Sequence, residues 1–162
     1  MARSCLSTFP LVVFGVIEPA LLIWAYITGQ RDPTSFYLAQ TPGPIPASAA
    51  SAPAQGLVLT LQLLNVYLLL AGIAVICSWT PHAEVARWYL IVVALADYGH
   101  IAACYQGVGP EVFWDVSLWN DMLWGGVAVS AALNVVRWLT VLGVPGMRVT
   151  DAKAVEVGKK RA

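Results

Sequence analysis

Three side chains in this sequence are suited to proton transfer and sit where water is scarce. Asp97 and His100 stand three residues apart in "ALADYGH", and Glu18 precedes Pro19 in "VIEPALL". A carboxyl withdrawn from water tends to hold its proton, because desolvation penalises the charged form. Glu18 in that state is a general acid. An imidazole beside a carboxylate gains a fixed tautomer and greater basicity, so Asp97 is expected to orient His100 as a base. Such a set takes a proton from one point of a lipophilic substrate and supplies one at another, with no cofactor and no metal. An Asp at the centre of a membrane helix costs about 2.5–3.5 kcal/mol on insertion scales, whereas an interhelical hydrogen bond returns about 0.6 kcal/mol. An ionisable residue there is a functional-site candidate.

The elements that must position these groups are membrane helices. Of 162 residues, 59% are hydrophobic and 11% charged, and the formal net charge is zero. A soluble domain carries about 25% charged residues, and a neutral chain offers no basic surface for nucleic acid. Four apolar stretches, about 9–27, 57–79, 85–105 and 116–138, reach the length of roughly 20 residues that a bilayer core requires. No alternating strand pattern is present, so the expected class is all-α: a polytopic four-helix bundle over residues 1–143 and a basic tail over 144–162. The first stretch is too long for a signal peptide and ends without a small-residue cleavage site. The three cysteines are scattered, with no CxxC pair.

Lys and Arg set the expected orientation. Threading four spans puts Arg3, Arg87, Arg137, Arg148, Lys153, Lys159, Lys160 and Arg161 on one side and Arg31 on the other. By the positive-inside rule both termini are cytosolic. "KKRA" at the C-terminus resembles a dilysine retrieval signal and points to the endoplasmic reticulum. The opposite loop, 29–55, holds the Pro/Ala/Ser-rich "TPGPIPASAASAPAQ", expected to be irregular. Phe36, Tyr37 and Leu38 upstream of it are placed to dip into the interface, and the loop reads as a tether or, alternatively, as a partial lid over a pocket on that face.

Polar residues from all four spans fall in the non-cytosolic half. At a rise of about 1.5 Å per residue, Asn120, Asp121, Gln62 and His100 lie about 6–8 Å deep, and Asp97, Asn65 and Glu18 about 12–14 Å. The expectation is one shared cavity. Gln62, Asn65, Tyr98, Trp119, Asn120, Asp121 and Trp124 would bind the substrate, the indoles stabilising a transient cation. Gln62, Asn65, Tyr67 and Asn134 read more readily as hydrogen-bonding glue between helices. Pro19 leaves the Gly15 carbonyl without its helical donor and predicts a kink beside Glu18. Two histidines and no ligand spacing argue against a metal site. No nucleophile elbow or phosphate-cradling loop occurs.

"VIEPALL", "LQLLNVYLLLAG", "ALADYGH" and "LWNDMLWGG" together resemble a family of small four-helix membrane proteins of filamentous fungi, over about residues 9–143. Members of that kind sometimes lie beside secondary-metabolite genes. The architecture is more distantly similar to the emopamil-binding/sterol-isomerase superfamily, in which intramembrane acids, a His, an Asn and a Trp shuttle protons. This chain departs from that pattern in having four spans and differently spaced acids, so only the idea of an intramembrane acid/base cavity carries over. The expected function is an isomerase or cyclase acting on a sterol, terpenoid or polyketide. The alternative is a non-catalytic protein that binds lipid or sterol, or assembles with a partner membrane enzyme.

Overall fold

A computed structural model describes residues 4–43 and 52–150. Four helices in it are long and apolar enough to cross a membrane: Thr8–Arg31, Ala54–Ser78, Ala83–Trp114 and Asp121–Val141. The protein is an all-α, multi-pass membrane protein. Helices satisfy their own backbone groups, which lipid cannot do for them.

Two of the spans depart furthest from their apolar boundaries, for local reasons. The third continues beyond Tyr105, bends at Gly109 (φ 79°, ψ 163°) and runs on to Trp114. Glycine takes that positive φ without steric penalty, and Pro110 brings no N–H to the bend. The fourth does not begin at Val116. Val116–Leu118 form a separate 3₁₀ turn capped by Asp115, and Asn120 caps a new helix at Asp121. Asp115 Oδ1 accepts from Ser117 N and Asn120 Oδ1 from Leu123 N, both at 3.0 Å. Each polar cap restarts the chain, which an apolar count does not register. At its other end this span runs past Trp138 to Val141, which leaves Arg137 inside it.

The first span packs along the second, and the third along the fourth. All four meet in the half that carries the chain ends, around Cys5, Phe14, Ala74, Ala86, Tyr89 and Leu90. There Cys5 N donates to Thr80 O at 3.0 Å, Thr150 N donates to Cys5 O at 2.8 Å, and Leu6 bridges Val149. The segment before the first span is thereby clasped between the second–third connection and the chain leaving the fourth.

In the other half each pair has its own apolar contacts, and Asn120 Nδ2, donating to Ala39 O at 2.8 Å, joins the two. Phe113, Leu123 and Val127 form a core between the third and fourth spans. The first pair closes where Gly29 faces Leu64 and Phe36. A Cβ on residue 29 would lie 2.9 Å from Leu64 Cδ1 and 3.1 Å from Phe36 Cδ2. Gly29→Ala therefore overpacks this contact and is expected to destabilise by about 1–3 kcal/mol. A lowered unfolding midpoint by tryptophan fluorescence in detergent checks this, with Gly107→Ala, which meets open space, as the unaffected control.

The chain beyond the first span forms a short helix, Pro33–Leu38. Asp32 caps it, accepting from Ser35 N at 2.9 Å and Ser35 Oγ at 2.7 Å. Those bonds hold its carboxyl below the usual range. Phe36 is buried, and a Cβ on Gly56 would strike the Tyr37 ring. The expected dip of Phe36–Leu38 is thus a helix laid across the end of the first pair. The irregular segment expected downstream lies largely in residues 44–51, outside the described residues, as do the dilysine pattern and the basic tail from residue 151 onward.

Candidate functional site

The two acids singled out from the sequence meet at a third residue. Arg137, fully buried at 0% exposure, sits one turn before the end of the fourth span. Its Nη1 donates to Asp97 Oδ2 at 2.6 Å, and its Nη2 donates to Glu18 Oε1. The guanidinium carbon lies 5.2 Å from the centroid of the Phe14 ring, close enough for a cation–π contact. Asn134, one turn earlier, donates to Ala94 O at 2.7 Å and to Asp97 Oδ2 at 3.4 Å. The first, third and fourth spans are tied together at this point.

Local backbone explains how Glu18 gets there. Pro19 has no N–H, so the Gly15 carbonyl lacks a helical donor. The Trp79 indole N–H takes that carbonyl at 3.1 Å, and the helix widens into a π turn over Val13–Ile17. Such bulges recur at functional positions in helices. A second π turn, Trp124–Val129, interrupts the fourth span before Asn134 and Arg137.

The cluster is short of positive charge. One guanidinium faces two carboxylates, and Glu18 Oε2 and Arg137 Nε are buried with no hydrogen-bond partner among the described residues. In a low-dielectric setting, charge balance calls for one proton, or one bound donor, on the carboxyl pair. His100 lies one turn along from Asp97 and is exposed. A Cβ on Gly126 would sit 3.3 Å from its Nε2 and 3.6 Å from Cys104 Sγ. Among the described residues His100 makes no hydrogen bond to Asp97, whose Oδ2 serves Arg137 and Asn134 instead. The expected hydrogen bond to the imidazole is therefore absent among the described residues, while Asp97 and His100 stay close enough to interact electrostatically.

The other candidates lie elsewhere. Asn120 donates to Ala39 O at 2.8 Å while capping its helix. It sits about 20–25 Å along the fourth span from Arg137. Asp121 is exposed in the first turn, where a carboxylate complements the helix dipole. Trp119 donates to the carbonyls of Val112 and Phe113, both at 3.2 Å, and stacks edge-on with Trp124 at 5.1 Å. Tyr98 accepts from Trp138 Nε1 at 3.0 Å on an exposed flank. Gln62 and Asn65 are exposed on the second span.

A family model described as a domain of unknown function, DUF7704, matches residues 3–147. The chain belongs to this family. No curated protein and no solved structure matches it. The DUF7704 match takes in all four spans, so Glu18, Asp97, Asn134 and Arg137 all lie within the domain.

Arg137 is the residue that sequence reasoning misplaced. Counted with the positive charges outside the membrane, it is instead the centre of the cluster. The signal was present: "WLTVLGV" keeps the chain apolar after it, and two intramembrane acids need a cation. Long basic side chains near helix ends usually snorkel outward. Here two carboxylates suited to a guanidinium's fork draw it inward.

The single shared cavity expected from depth is not formed. A cavity of about 390 Å³ lies instead between Ser35–Gly43 and Leu118–Asn120, with no ionisable lining residue; of the expected substrate-binding set it takes in Trp119 and Asn120.

Proposed function

We propose that this protein is an intramembrane acid/base enzyme, an isomerase or cyclase that protonates and deprotonates a lipophilic molecule such as a sterol, terpenoid or polyketide. One observation carries the reading: two carboxyls from different spans share one buried guanidinium, with Glu18 Oε2 unpartnered. A purely structural ion pair needs one acid. The second leaves a proton to place, and the exposed side that carries His100 is where a substrate would enter. Glu18 supplies the proton, Asp97 holds the guanidinium in place, and His100, on the exposed wall one turn away, receives the proton released. The reading further takes the endoplasmic reticulum as the site, cytosolic termini as the orientation, and a fungal secondary-metabolite setting as the context.

Cells expressing the chain in heavy water test it. Wild type is expected to put solvent deuterium into a lipophilic product seen by mass spectrometry of the lipid extract. Asp97→Asn, which keeps the Glu18–Arg137 pair and accumulates equally, is expected to abolish that incorporation. Identical labelling from both proteins would refute the mechanism.

A second reading, a non-catalytic lipid-binding or assembly protein, draws support from the enclosure of Arg137 and the location of the cavity far from it. It expects no labelled product from either protein.

A further inference from the structure

The second span buries one face against the first span and the short helix: Gly56, Thr60, Leu64, Ala71, Ala74 and Ser78. The opposite face carries Val58, Gln62, Asn65, Leu69, Gly72 and Ile76, all exposed. Their spacing is four, three, four, three, four. That is the a/d seam of a heptad repeat, which in a coiled coil faces a partner helix rather than solvent.

Two amides stand in the middle of that seam. Asn65 lies eleven residues from the start of the span, about 16 Å deep and so near the bilayer midplane. Among the described residues neither Gln62 nor Asn65 has a side-chain hydrogen bond. A carboxamide facing lipid leaves two donors and an acceptor unmet. Reading these residues as glue within the bundle fails, because they point away from it.

We infer that the second span is a dimer interface and that its occupant is the second span of another copy of this chain. Copies inserted with the same topology are parallel, so a twofold axis sets Asn65 against Asn65 and Gln62 against Gln62 at equal depth. A carboxamide is both donor and acceptor, so each amide complements its own copy, as an isologous contact requires. A charged residue at the same place would repel itself. A polar residue at an a position, where Gln62 stands, specifies register and oligomer state in coiled coils, and Gly72, with open space where a Cβ would project, lets the backbones approach. This inference does not depend on the catalytic reading, since no seam residue touches the Arg137 cluster.

The full-length chain, labelled in donor and acceptor populations and reconstituted in phosphatidylcholine vesicles, is expected to show energy transfer that falls on lipid dilution. Asn65→Leu is expected to weaken dimerisation roughly tenfold, the scale of amide bonds between membrane helices. Asn65→Gln retains it. The unfolding midpoint of the Asn65→Leu protein stays at the wild-type value, because the amide makes no hydrogen bond among the described residues; this separates lost association from lost folding. Leu69→Cys forms a disulfide between copies, and the exposed off-seam Leu59→Cys does not. A chain monomeric at every lipid ratio, undiminished transfer in Asn65→Leu, or equal cross-linking at both positions overturns the inference.

Discussion

Arg137→Leu abolishes a stable bundle. The substitution leaves Glu18 and Asp97 buried between three spans with no cation. Breaking a buried ion pair by removing one partner costs about 3–5 kcal/mol, because the remaining charge stays desolvated. Two acids share this guanidinium, so the loss is expected at the upper end of that range. Asn134 adds to it, since its bond to Asp97 depends on the carboxylate staying in place. Arg137→Lys is expected to fall between, as an ammonium lacks the fork that serves two carboxylates at once. Accumulation in membranes and the thermal midpoint by tryptophan fluorescence provide the measurement. A leucine variant within about 0.5 kcal/mol of wild type, the range of an ordinary surface change, would show that the ion triad does not hold the spans together.

The four spans were legible because apolar length is a direct readout of the bilayer, and a mean hydropathy of +0.70 agrees with it. The acids were legible for the converse reason: Glu18 and Asp97 are costly where they stand, so a partner had to exist. The identity of that partner was obscured by assigning Arg137 to the span's edge, when "WLTVLGV" allowed the helix another turn. The Pro19 argument went further, since the free Gly15 carbonyl follows from proline chemistry alone. That the Trp79 indole would answer it depends on packing sixty-four residues away. The proposed substrate set fared differently because depth fixes height and not azimuth. Gln62 shares a level with His100 and Asn65 with Asp97, yet the face the second span turns to the first is set by Gly29, Leu64 and Phe36, and this turns the amides outward. Asn120 and Trp119 were counted within a span, but as cap and bridge they define where the helix begins.

Replacing the whole triad separates holding the fold from chemistry. With Glu18→Met, Asp97→Leu and Arg137→Met together, no buried charge is left unpaired. Substituting a buried ion triad by apolar residues of similar volume is often neutral, or stabilising by about 1–4 kcal/mol. The triple variant is therefore expected to melt at or above the wild-type midpoint, even though Arg137→Leu alone does not hold. Asn134 keeps its bond to Ala94 O and Trp138 its bond to Tyr98 Oη, so two polar ties between the third and fourth spans survive. Proton transfer does not: the same variant is expected to incorporate no deuterium. A stable triple variant that still labels its product would move the chemistry to His100 or beyond, and leave the triad as a lock. An unstable one would mean that these three spans need the ionic geometry itself, with the Phe14 ring packed on the guanidinium, and that apolar filling cannot reproduce it.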